Sequence, residues 1–118
     1  MAKCDEGYLC EVCGRAVDDL TVSDLYLRYV IGILDPEVLH TTPERHLRCN
    51  PPLAQFIECE GFIPVPCPGD FDKANLDLRF VQERTELVTR GYLRLLELAK
   101  LDLPLADYPL PEFRERYG

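Results

Sequence analysis

The chain has 118 residues, 47% of them apolar and 29% charged, with a formal net charge of −8. One domain of that length buries roughly 65% of its extended surface, so a disordered or low-complexity segment is excluded. The acidic balance repels phosphate and anionic lipid, which argues against a general nucleic-acid or membrane-surface binder.

From the N-terminus, residues 1–7 carry no apolar signal segment, and no stretch approaches the ~18 apolar residues of a membrane span. A cytoplasmic location is the expectation, and reduced thiols with it. The six cysteines are Cys4, Cys10, Cys13, Cys49, Cys59 and Cys67, all in the first 67 residues. Such clustering points to a metal site rather than to scattered core thiols.

Residues 7–10 read as a short strand entering the turn Cys10-Glu11-Val12-Cys13-Gly14, with Gly14 supplying a left-handed residue. Residues 16–22 are read as its returning partner. Thr21 and Ser23 offer caps for an apolar helix over 23–34 with a narrow polar stripe of Asp24, Arg28, Gly32 and Asp35. It should end at Asp35-Pro36. A helical turn over 36–40, a capped turn at Thr42-Pro43 and a short helix over 51–57 follow. Residues 62–65 are read as an edge strand limited by Pro64 and Pro66. Asp70 or Asp72 caps a long helix over 73–100, with Gly91 a weak point in its middle. A Pro-rich tail with Leu103, Leu105, Tyr108, Leu110 and Phe113 closes the chain. It is expected to fold back over its own core, with an arm docking on a partner groove as the alternative.

Cys10-x2-Cys13 and His46-x2-Cys49 each bring two soft donors close together, and 32 residues separate the pairs. Thiolates and imidazole suit tetrahedral Zn²⁺. Cys59 is the alternative fourth donor to His46. A second zinc would draw on Cys4, His40, Cys59 and Cys67.

These residues, with Gly14 and the helix start at Asn50, resemble a treble-clef-type zinc finger over about half the chain. The resemblance implies one structural zinc with no open position and no single function. The fold expected is mainly α with a small β-hairpin or zinc knuckle. In it, a treble-clef-like N-terminal half packs with a long C-terminal helix. The expected organisation is a single domain over 1–118, divided into a knuckle and short-helix region (1–69), the long helix (70–102) and the tail (103–118).

No catalytic residue is assigned. H-E-x-x-H, a phosphate-cradling Gly loop and the deaminase pattern are absent. The leading expectation is a non-catalytic protein-interaction or adaptor module, acting through an apolar helix face or the tail on a basic partner. A homodimer through the long helix is the second mode. The alternatives are a small thiol-redox enzyme, a metal-dependent nuclease, or a weak nucleic-acid binder using Arg15, Arg45 and Arg48.

Overall fold

The computed structural model describes residues 9–17, 19–39, 41–101 and 103–113. Its centre is helix α1, Asp24–Val30, in which every residue but Arg28 is buried. The sequence explains this, because Leu25, Tyr26, Leu27, Tyr29 and Val30 leave room for only one narrow polar stripe. Ser23 caps the helix, its hydroxyl accepting from the Tyr26 N–H at 3.1 Å. Thr21 belongs to a separate 3₁₀ turn, Leu20–Val22, capped by Asp19.

Helix α1 ends sooner than its apolar run predicts. Gly32 takes a φ of +80°. The Ile33 N–H then reaches the Arg28 carbonyl and the Gly32 N–H that of Tyr29. That paired bonding is the Schellman closure, which needs a left-handed residue just past the helix. Gly32, read from sequence as a gap in the polar stripe, is therefore the terminator. The capped turn expected at Thr42-Pro43 gives no helix, and residues 43–45 run without regular structure into His46.

Helix α2 is short, Pro51–Ala54, with Asn50 at its N-cap. The buried Gln55 fastens the following segment. Its side-chain amide donates to the Phe71 carbonyl at 2.7 Å, and its carbonyl oxygen accepts from the Lys73 N–H at 2.9 Å. The edge strand expected over 62–65 does not form; two prolines leave too few N–H donors for a ladder.

Helix α3 runs Leu78–Leu98, shorter at its start than expected, and Asp77 caps it through the Phe80 N–H. Asp72 caps a preceding 3₁₀ turn, Lys73–Asn75. The buried face of α3 is Val88, Gly91, Leu95 and Leu98, whereas Phe80 and Ala99 of the expected face stand exposed. Gly91 is where α1 and α3 cross. A Cβ there would sit 2.3 Å from Ile31 Cγ2 and 3.0 Å from Leu27 Cδ1. The apparent weak point of the helix is the position that lets the two backbones approach.

The tail folds back over its own core. The Leu110 N–H donates to the Val30 carbonyl at 3.0 Å, satisfying one of the free carbonyls at the end of α1. Arg94 Nε donates to the Tyr108 carbonyl at 3.0 Å, and Arg90 grips Glu112 with both Nη atoms at 2.8 and 2.9 Å. That bond raises the Arg90 guanidinium and lowers the Glu112 carboxyl from their usual ranges. Tyr108, Pro109 and Leu110 are buried. The tail up to Phe113 is thus an intramolecular strap, which removes it as a free arm. No helix among the described residues is long and apolar enough to cross a membrane.

The crossing makes a prediction. Gly91→Ala should lower stability by about 1–3 kcal/mol, the cost of overpacking, although alanine is the better helix former. Thermal melting checks it. A raised melting temperature would mean that the crossing does not constrain position 91.

Candidate metal centre

Cys10 and Cys13 sit on one tight turn. The Gly14 N–H closes it on the Cys10 carbonyl at 2.9 Å, and the Cys10 N–H bonds the Arg15 carbonyl at 2.8 Å. Gly14 has φ +77°, the left-handed residue that the turn needs. An isolated antiparallel bridge, Leu9–Ala16, stands where a hairpin was expected. Beyond it the chain enters the Leu20–Val22 turn rather than a returning strand.

The second pair is brought in from far along the chain. Residues 44–46 run extended between the knuckle and the start of α1. The Glu11 N–H donates to the Glu44 carbonyl at 3.0 Å, and the Asp24 N–H to the Arg45 carbonyl at 2.8 Å. His46 forms an antiparallel bridge with Ser23. The interval between the pairs therefore leaves and returns at the same place, with α1 held inside it. Cys49 closes a 3₁₀ turn, Leu47–Cys49.

A buried polar network holds this strip. Asp24 is 0% exposed. Its carboxylate pairs with Arg28 at 2.9 Å and Arg45 at 3.3 Å, and accepts from Asn50 Nδ2 at 2.8 Å. Glu44, also buried, accepts from the Ser23 hydroxyl at 2.9 Å and the Arg45 N–H at 3.0 Å. Sequence reasoning treated Asp24 as one member of a polar stripe and missed its role. The signal was an acid on an otherwise apolar helix, but its partners lie 21 and 26 positions away.

All four donors converge. One ligand atom each from Cys10, Cys13, His46 and Cys49 lie within 4.8 Å of one another. His46 Nδ1 is 3.3 Å from Cys13 Sγ and 3.8 Å from Cys49 Sγ. A tetrahedral zinc with Zn–S of about 2.3 Å and Zn–N of about 2.0 Å sets such edges near ~3.6 Å. His46 Nε2 lies 3.0 Å from the Ala16 carbonyl, which can only accept. Nε2 is therefore the donor in that bond, and Nδ1 is the ring nitrogen that faces the sulfurs. Fixing the imidazole through its outer nitrogen is the usual second layer of a metal site.

The thiols behave as a crowded set. Burial raises Cys10, but the turn's N–H groups, Cys13 first, together with His46 outweigh it and lower the thiol to about 6. The Val12 N–H points at its sulfur from 3.4 Å. Cys49 is raised to about 11 by burial and then by Cys10 and Cys13 beside it. One anion is welcome there and further anions are resisted. A divalent cation would reverse that resistance, so the donor set fits a soft metal ion such as zinc.

Cys59, the alternative fourth donor, stands outside the cluster and packs against the core. Neither Cys59 nor Cys67 joins any other group of three donors among the described residues. Cys4 and His40, the remaining candidates for a second zinc, lie outside the described residues.

Two predictions follow from this geometry. Cys13→Ser should release bound zinc and melt the knuckle, whereas Cys67→Ser should leave zinc content unchanged; elemental analysis of both variants checks it. Zinc affinity should also fall in acid, because each thiol proton must be displaced. Below about pH 6 Cys10 becomes protonated as well, so the fall steepens. Chelator competition from about pH 5 to about pH 8 reads that slope, and a flat profile would contradict thiolate ligation.

Comparison with known proteins gives no match for this chain among family models, curated proteins or solved structures.

Proposed function

We propose that the chain is a non-catalytic structural-zinc protein, a treble-clef-like interaction or adaptor module. The observation that carries this reading is the completeness of the donor set. Three sulfurs and one imidazole nitrogen fill a tetrahedron, and a filled tetrahedron leaves no position for a reacting water. The metal's role is to hold together a first half that has little regular structure. It joins the knuckle to the Leu47–Cys49 turn, and a metal that binds only the folded chain contributes its binding energy to folding.

Exposed apolar side chains support the interaction part. Ile63 is 72% exposed, Phe71 67% and Leu78 70%. With a net charge of −8, such a surface would favour a basic protein partner.

The thiol-redox alternative has less support. That chemistry uses a C-x-x-C at the start of a helix, where the dipole activates one thiol. Here the motif lies in a turn followed by Gly14 and Arg15, and both thiols have a shared role with His46. The nuclease alternative needs a catalytic histidine, a further metal-binding histidine and a basic DNA face; of the chain's two histidines, His46 belongs to the cluster and only His40 is left. The nucleic-acid alternative loses Arg45, which is engaged by Asp24 and by Glu11 at 3.5 Å.

Native mass spectrometry of the untagged protein with stepwise chelator tests the proposal. One zinc per chain, lost together with the folded charge distribution, is the expected result. A folded chain without metal, carrying the mass deficit of a disulfide, would favour thiol chemistry instead.

A further inference from the structure

The outer face of the metal cluster forms one wall of a cleft of about 610 Å³. Small-molecule sites span roughly 300–1,000 Å³. Cys13, His46 and Cys49 supply the metal-side wall, and Arg15, Leu47, Arg48, Phe62 and Tyr92 supply much of the rest. Phe62 and Tyr92 meet edge to face with centroids 4.8 Å apart, and the Arg48 guanidinium lies 4.6 Å over the Phe62 ring. Together they make an angled aromatic corner, with the Arg48 cation stacked over the face of Phe62.

The charges are unusual for this chain. Arg28, Arg45, Arg79, Arg90 and Arg94 each pair with a carboxylate. Of the other described arginines, Arg84 stacks on Phe80 away from the cleft, and Arg15 and Arg48, both at the cleft, have no carboxylate partner among the described residues. Three thiolates around a divalent ion leave one negative charge, and two guanidiniums leave one positive charge over. Burial raises the Tyr92 phenol, so it stays a hydrogen-bond donor at neutral pH. We propose that this cleft binds a small planar organic monoanion, an aromatic carboxylate. The ring would lie against Phe62 and Tyr92, with the carboxylate toward Arg48 and Arg15. The charge balance rests on the zinc reading above; the aromatic surface and the unpaired arginines do not.

The test uses the full zinc-loaded chain, with zinc content measured first. Naphthalene-2-carboxylate is titrated and followed by amide chemical shifts. The neutral naphthalene-2-carboxamide and adenosine 5′-monophosphate are titrated alongside. The expected result is saturable shifts at Val22, Leu47 and Tyr92 with the carboxylate, and much weaker ones with the amide. Arg48→Gln should weaken binding by about tenfold or more while zinc content and melting stay unchanged. Arg15→Gln gives the second reading should the first variant not fold. Absent shifts, equal binding of the amide, or binding indifferent to both substitutions would overturn the proposal. Tighter binding of the nucleotide would overturn the carboxylate assignment in favour of a phosphate-bearing ligand. A protein that purifies without zinc would sink the metal reading, and the same titration would still decide the cleft.

Discussion

The architecture depends on one buried carboxylate. Asp24 opens the central helix, fully enclosed and facing two guanidiniums. An isolated carboxylate in that position would be prohibitive, so its partners are obligatory. Arg28 comes from one turn further along α1, Arg45 from the extended strip, and Asn50 from the head of α2. The carboxylate thereby fastens three separate stretches of chain at one point. Deleting one member of such a buried pair costs about 3–5 kcal/mol, because the other charge is stranded. The network adds little net stability over an apolar core, but it sets which segment lies where.

That placement is what assembles the donor cluster. The strip gripped by Asp24 is the one that presents His46, three residues before Cys49. Its far edge receives the knuckle through the Glu11–Glu44 backbone bond. Helix, strip and knuckle therefore stack in that order, and the four donors meet at the knuckle. The hydrophobic side of the same helix is closed by α3 at Gly91 and by the tail at Leu110. The polar end of α1 organises chemistry while its apolar faces organise the core.

Much of the candidate site was legible because its signal is local. Cys10 and Cys13 share a turn, and His46 and Cys49 share another, so spacing alone marks them as donors. Spacing favoured His46 over Cys59, but the bridge to Ser23 that carries His46 to the cluster is a distant pairing with no local signal. Helices were read well where apolar periodicity ran long, as in α3. Their ends were read poorly. Gly32 looks like a gap in a helix until its carbonyl partners are known, and Gly91 looks like a defect until Ile31 is seen against it. The strands expected at 16–22 and 62–65 failed for different reasons. The first has no partner beyond the Leu9–Ala16 bridge, and the second is broken up by its prolines. The tail's fold-back rests on Arg90 and Arg94 reaching Glu112 and Tyr108, contacts that no local pattern announces.

The most direct test of the account is X-ray absorption at the zinc edge of the purified protein. The account requires a four-coordinate zinc with three sulfurs at about 2.3 Å and one nitrogen at about 2.0 Å. A shell containing an oxygen donor, or only two sulfurs, would mean an open or differently built site. That outcome would contradict the reading of this centre as a closed structural one.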